Sequence, residues 1–343
     1  MSGAPAAIED MPQGTHEATL GDWLSAAAGW LQAAGIDSAR LDARLLASFV
    51  LGWDQARVLA HPEQVLGGGE WSLLQSLLAK RAKREPLAVI IGKCEFWGLD
   101  FAVTADTLVP RPESETLIEA ALAVLRSGRL HRYNLAPDEA GEVALLEQEF
   151  AARVGAKYCL AVASGGYAIA TALRAVGVKP GDRVLSNAFT LAPVPGAIAA
   201  VGATPVFVDV TQGLVIDLDD LAAKLDQARV LLLSHMRGHI CDMDRLMALC
   251  DAAGVIVVED CAHTMGASWN GVPSGRHGAV GCYSCQTYKH VNAGEGGLLV
   301  TDDAALAARA IMLSGSYMLY DRHLAGPPPE AFETVKYDTP NIS

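Results

Sequence analysis

Tyr283-Ser-Cys-Gln-Thr-Tyr-Lys289-His-Val-Asn-Ala-Gly-Glu-Gly-Gly297 places one lysine between a serine that ends an apolar strand and a glycine-rich turn. Upstream, Val257-Val-Glu-Asp260 is a second apolar run that ends in a carboxylate. Leu160-Ala-Val-Ala-Ser164-Gly165-Gly166 passes from a strand through a small-residue turn into a helix. Strands are expected near residues 157–162, 183–186, 204–208, 229–234, 255–259, 281–285 and 297–301, separated mostly by helical stretches. That rhythm predicts an α/β fold, a mainly parallel seven-stranded sheet with helices on both faces. Ser164, Asp260 and Lys289 then lie at or just beyond strand ends, where ligands of such sheets bind.

These residue types suit one cofactor chemistry. A lysine amine can form a Schiff base, a carboxylate can keep a pyridine nitrogen protonated, and hydroxyl and backbone N–H groups can hold a phosphate. Lys289, Asp260 and Ser284 fill those roles in an expected pyridoxal phosphate site. The turn at 164–166 adds free N–H groups and the positive end of a helix dipole.

From about Arg126 onward the chain resembles the DegT/StrS (DnrJ/EryC) family of pyridoxal-phosphate sugar aminotransferases, members of the fold type I superfamily. The resemblance rests on Val154-Gly-Ala-Lys-Tyr-Cys-Leu-Ala-Val-Ala-Ser164, Pro180-Gly-Asp-Arg-Val-Leu185, Val201-Gly-Ala-Thr-Pro-Val-Phe-Val-Asp209 and His235-Met-Arg-Gly-His-Ile-Cys-Asp-Met-Asp244. Val258-Glu-Asp-Cys-Ala-His-Thr-Met-Gly-Ala267 and the lysine segment complete it, in family order. It implies that Lys289 carries the Schiff base, that Asp260 pairs with the pyridinium, and that Ser284 with Ser164, Gly165 and Gly166 binds phosphate. His263 stands where the family often has a glutamine near the phenolic oxygen. The family often stacks an aromatic ring on the cofactor where this chain has Leu191, so stacking falls to Phe189 or is absent. Relatives that act as sugar dehydratases replace the lysine with histidine. Here histidine is only the next residue, His290, so transamination is favoured, from a donor such as glutamate to a keto sugar nucleotide.

The chain stops about where that family enters its C-terminal small domain, which is therefore expected to be missing. Tyr337-Asp-Thr-Pro-Asn341 resembles the start of a segment that reaches a partner subunit's cofactor, with Asn341 at the matching asparagine. Dimerisation is implied by the resemblance.

The first third reads differently. Residues 1–16 form a polar tail with neither signal-peptide nor anchor character. Leu20, Trp23, Leu24, Ala27 and Leu31 fall at helical spacing behind a Thr19/Asp22 capping pair. A second helix begins at Asp37 or Ser38, with Leu41, Leu45, Phe49 and Val50 as its apolar positions and Gly52 past its end. A third covers residues 54–60 and a fourth about 70–84, with Lys80-Arg-Ala-Lys-Arg84 as its wet face. Leu87-Ala-Val-Ile-Ile91 reads as extended and 95–103 as a hairpin, and Val109-Pro-Arg-Pro-Glu113 as a rigid loop before another helix.

With Arg84-Glu-Pro-Leu-Ala-Val-Ile-Ile-Gly92, Glu95-Phe-Trp-Gly98 and Leu108-Val-Pro-Arg-Pro-Glu113, residues 19–125 resemble the N-terminal region of the release-factor glutamine methyltransferases, the HemK/PrmC family. That resemblance implies a module that helps to dock a release factor. After Leu125 there is neither a glycine-rich strand-turn-helix for S-adenosylmethionine nor an Asn-Pro-Pro-Tyr, so no methyltransferase activity is expected. The expected organisation is a tail at 1–16, a helical bundle at 17–84, a hairpin and linker helix at 85–125, and an aminotransferase-like large domain at 126–343. The joint lies in a shared Ala/Leu-rich helix around 120–133, which points to a fusion of two truncated genes, natural or a product of assembly. The rival function is a catalytically inactive fusion that acts as a binding module through its helical part.

Composition fits two such modules. The 343 residues, 51% hydrophobic and 19% charged, suffice for a small helical unit and a large α/β core. A net charge of −13 argues against a nucleic-acid surface, and no stretch is apolar enough for a membrane anchor. Seven cysteines without an export signal point to reduced thiols in the cytoplasm. Cys282-x-x-Cys285 is half of a zinc spacing with no second half, so no metal is expected.

Overall fold

The computed structural model describes residues 18–111, 113–130, 132, 133, 135, 136, 139–315 and 319–336. The tail at 1–16 and Asn341 lie outside the described residues. The chain divides into two compact units, Met1–Gly128 and Arg129–Ser343. Among the described residues no helix is long and apolar enough to cross a membrane.

The first unit contains α1 (Leu20–Ala33), α2 (Ala39–Leu51), α3 (Gln55–Ala60), α4 (Gly68–Ala82), α5 (Leu87–Ile91), a hairpin of β1 (Lys93–Phe96) and β2 (Leu99–Ala102), and α6 (Glu113–Ser127). Thr19 caps α1 by a reciprocal capping box, its Oγ1 accepting from Asp22 N at 3.2 Å. Trp23, Leu31, Leu46, Leu74 and Leu78 are completely buried and form this unit's core. Three expectations fail here. Residues 87–91 are helical rather than extended: Pro86 sets the entry, and Gly92 closes the single turn in the left-handed region at φ 74°. In α2 the buried face is Ala39, Asp42, Ala43, Leu46 and Ala47, while Leu41 and Phe49 are exposed. The small alanines form the buried face that packs against α1, and Asp42 is tolerated inside because Arg81 Nε donates to it at 2.6 Å. The third failure follows: Arg81 of the basic run is not on a wet face but turned into the core.

The second unit is a layered α/β structure. Its seven-stranded sheet contains β3 (Tyr158–Val162), β4 (Arg183–Asn187), β5 (Thr204–Val208), β6 (Val230–Ser234), β7 (Ile256–Asp260), β10 (Val280–Ser284) and β11 (Gly297–Thr301). A small hairpin of β8 (Ser268–Trp269) and β9 (Val272–Pro273) stands apart. The order is β3-β11-β10-β7-β6-β4-β5, and β11 alone runs antiparallel to its neighbours. Successive strand residues face opposite sides. Val184, Leu232 and Val258 pack with α8 (Gly165–Ala175), α9 (Pro193–Ala200), α12 (Ala304–Leu313) and α13 (Pro329–Val335). Leu185, Leu231 and Val257 pack with α10 (Leu218–Lys224) and α11 (Met243–Ala253). Phe150 of α7 (Glu142–Val154) completes a third cluster with Tyr283, their rings 4.9 Å apart. This is the expected fold type I architecture, buried on both faces as parallel sheets require.

Replacing Arg81 with alanine leaves the buried Asp42 carboxylate unpaired and should cost the helical unit about 3 kcal/mol, read by denaturant unfolding of the full chain. An unchanged midpoint would mean the pair contributes nothing.

Candidate active site

Three loops meet at the C-terminal ends of the parallel strands. The first joins β3 to α8. Ser164 is the N-cap of α8, its Oγ accepting from Tyr167 N at 3.1 Å. Gly165 follows because a Cβ there would come within 2.7 Å of Ser284 Cβ, so only glycine lets the helix N-terminus approach the end of β10. The second loop follows β7, which ends in Asp260. The third leaves β10 at Ser284 and returns as β11. Backbone bonds Cys285 N to Gly296 O (2.9 Å), Ala293 N to Cys285 O (2.9 Å) and Thr287 N to Gly294 O (3.0 Å) fold it back, with Gly294 at φ 81°. Lys289 sits at the turn of this loop, half-buried.

A cavity of about 440 Å³ lies between these loops. Ser164, Gly165, Gly166 and Ser284 line one side of it, and Asp260, His263 and Lys289 another. Leu191, Ile169 and Val194 supply its apolar wall. Leu191, 43% exposed, lines the cavity and Phe189 does not, so of the two expectations, stacking from Phe189 or no stacking, the lining favours the second. Among the described residues no phenylalanine, tyrosine or tryptophan lines this cavity.

Lys289 Nζ lies 2.7 Å from His263 Nε2, and His263 Nδ1 accepts from the backbone N–H of Arg237 at 3.1 Å. A backbone N–H can only donate, so the ring proton of neutral His263 must sit on Nε2 and point at Nζ. Nζ then accepts, as a neutral amine. The amine's shift runs in the same direction. Burial pushes the Lys289 amine below its ordinary value, the Asp260 charge pulls it back up, and the Arg237 cation pushes it down again. His263 is likewise lowered, first of all by burial.

Asp260 is buried, and both of its oxygens are occupied: Oδ2 accepts from Ser234 Oγ at 2.8 Å and Oδ1 from Ala262 N at 3.1 Å. Its strand neighbour Glu259 is fully buried and faces away. Glu259 Oε2 lies 3.0 Å from His235 Nε2 and accepts from Gly275 N, while Oε1 accepts from His277 N and Gly278 N. Burial pushes Glu259 up, but the His235 hydrogen bond and charge and the backbone donors outweigh it and hold the carboxyl below its ordinary value. Cys261 lies close enough to His235 and Glu259 to form a metal-ligand set. Its geometry suits structure better: the carboxylate already has four partners, and burial pushes the Cys261 thiol far up. Cys282 and Cys285 are buried free thiols.

Sequence reasoning missed Asn187, Thr190, Ser234 and the turn at 236–238. The signal available for Ser234 was register, since it pairs directly with Asp260 across β6 and β7.

The residues present fit pyridoxal phosphate. A lysine amine lowered by burial, a buried carboxylate with fixed oxygens and a glycine-opened helix N-terminus share one cavity large enough for a small ligand. The Lys289 amine should react with a neutral amine reagent below the pH range of ordinary lysines. Arg237→Gln removes a cation and should move that midpoint up; Asp260→Asn removes a favourable charge and should move it down. Peptide mass spectrometry of reagent-labelled chain across pH reads both, and opposite signs would refute the charge assignment.

Residues 113–322 match the model of the DegT/DnrJ/EryC1/StrS aminotransferase family, and residues 22–92 match the PrmC N-terminal domain. A pleiotropic regulatory protein of Geobacillus stearothermophilus is 36% identical over 187 residues, 53% of this chain and 50% of that protein. A UDP-N-acetyl-3-dehydro-alpha-D-glucosamine 3-aminotransferase of Acidithiobacillus ferrooxidans is 37% identical over 186 residues, 53% of this chain and 50% of that protein. The X-ray structure of an aminotransferase from Psychrobacter cryohalolentis superposes with a TM-score of 0.54 at 32% identity, covering 59% of this chain and 53% of its own. The chain thus spans about half the length of the curated relatives it matches. Over more than half of its length, and through the segments that build this cavity, the chain belongs to the DegT/DnrJ/EryC1/StrS family of pyridoxal-phosphate-dependent aminotransferases.

Proposed function

We propose that the second unit binds pyridoxal phosphate and transfers an amino group from a donor such as glutamate to a keto sugar nucleotide. The observation that carries this is the convergence of Lys289, Asp260 and the α8 N-terminus on one cavity. Bound pyridoxal phosphate supplies an aldehyde for amines and an electron sink that makes a neighbouring C–H acidic. Lys289 Nζ would attach the cofactor and hold or move the proton at the substrate carbon. Asp260 would accept from its protonated ring nitrogen. The N–H groups of the turn at 164–166 and the Ser284 hydroxyl would hold its phosphate, aided by the α8 dipole. His263 would stand near its phenolic oxygen, and Leu191 would supply apolar contact at the cavity wall. The Acidithiobacillus relative, whose name describes amino transfer at a dehydro sugar nucleotide, supports the substrate class.

The match of residues 22–92 favours a second role for the first unit, docking a release factor or another protein. A pull-down by the full chain tests it. Seven free cysteines suit a reducing compartment such as the cytoplasm.

Purified chain mixed with pyridoxal phosphate should develop a visible absorption band that borohydride removes, and Lys289→Ala should lack it. A band of equal strength in the variant would overturn the assignment of Lys289.

A further inference from the structure

We propose that Ser234 and Thr190 are positioning residues that fix the Asp260 carboxylate through a directed chain of hydroxyls, an inference that rests on the pyridoxal phosphate reading of this cavity.

Asn187, Ser234 and Asp260 end three adjacent parallel strands, β4, β6 and β7. Asn187 Oδ1 accepts from Ser234 N at 2.8 Å, and Asn187 Nδ2 donates to Ser234 O at 3.1 Å, so the serine backbone is held on both sides. The same Nδ2 donates to Phe189 O at 3.0 Å, which ties down the segment that carries Thr190. Thr190 Oγ1 in turn donates to Ser234 Oγ at 2.8 Å. A hydroxyl has a single proton. With its oxygen accepting from Thr190, Ser234 directs its own proton to Asp260 Oδ2, also at 2.8 Å.

The direction of the chain matters. Asp260 is an acceptor at both oxygens, from Ser234 Oγ and from Ala262 N, and the two contacts pin the plane of the carboxylate. Asp260 lines the cavity, and a lone pair left over can meet only a donor there, as a protonated ring nitrogen is. Asn187, Ser234 and Asp260 are all buried, so water cannot replace a lost donor cheaply. Ser234 and Thr190 are absent from the cavity lining and therefore act through Asp260 rather than on a ligand.

The test measures pyridoxal phosphate affinity by equilibrium dialysis, and the visible band across pH, for wild type, Ser234→Ala, Ser234→Thr and Thr190→Val. Loss of a buried hydrogen bond to a charged group predicts about tenfold or more weaker binding and an altered pH dependence of the band for Ser234→Ala. Ser234→Thr, which keeps the hydroxyl, should restore most of both, and Thr190→Val should shift both in the same direction by less. A folded Ser234→Ala with wild-type affinity and band overturns the proposal. If that variant does not fold, Thr190→Val decides, and no change in it overturns the proposal. Should wild type itself give no lysine-dependent band, the cofactor reading fails. Crystal structures of wild type and Ser234→Ala then judge the positioning alone: a rotated Asp260 carboxylate supports it and an unmoved one refutes it.

Discussion

Two adjacent carboxylates on one strand, Glu259 and Asp260, organise the second unit, because strand alternation sends them to opposite faces of the sheet. Glu259 turns toward His235 and the loop at 275–278, and its four partners fasten that loop to the strand. A buried charge is stable only with such a full set of donors. Asp260 turns to the α8 side, where it holds fewer bonds and keeps capacity for a ligand. One strand end therefore supplies both an anchor and a reactive group, and loss of either would disturb the other through the shared backbone.

Much of this was legible because parallel strands buried on both faces read as short apolar runs, and because helices announce their ends. All seven sheet strands lie where the apolar runs predict them, and Thr19, Asp54 and Gly52 mark helix ends by their caps. The failures have physical causes. Residues 87–91 are apolar and end in the β-branched Val89, Ile90 and Ile91, which favours a strand locally, yet Pro86 and Gly92 bracket a helical turn. In α2 the apolar positions Leu41, Leu45, Phe49 and Val50 are exposed or only partly buried, because the buried face is built around alanines and the Asp42–Arg81 pair. Periodicity counts hydrophobes and does not see a buried ion pair.

The cavity shows the same division. Lys289, Asp260, His263 and the turn at 164–166 were named from their order in the chain, and the structure gathers them around one space. Ser234, Thr190 and Asn187 carry no signal of their own, since serine, threonine and asparagine at strand ends are ordinary turn formers. Their arrangement depends on strand order, β7 beside β6 beside β4, and strand order is not a local property of sequence. Whether Phe189 reaches the cavity depends on the path of the backbone after β4, which is not a local property of sequence either.

The electrostatic setting of Lys289 links ligand binding to reactivity. The chain carries a net charge of −13, and the cavity lining sets the α8 N-terminus and Lys289 against the carboxylates Asp260 and Glu295. The backbone N–H groups at the helix end can hold an anion without a charge on Nζ. The amine is only half-buried, and desolvation is the largest influence on it. An apolar cover that removes more water from Nζ lowers the amine further. Burial and the His263 ring, whose Nδ1 accepts from the Arg237 N–H, act in one sense on Nζ, and the Asp260 charge opposes them.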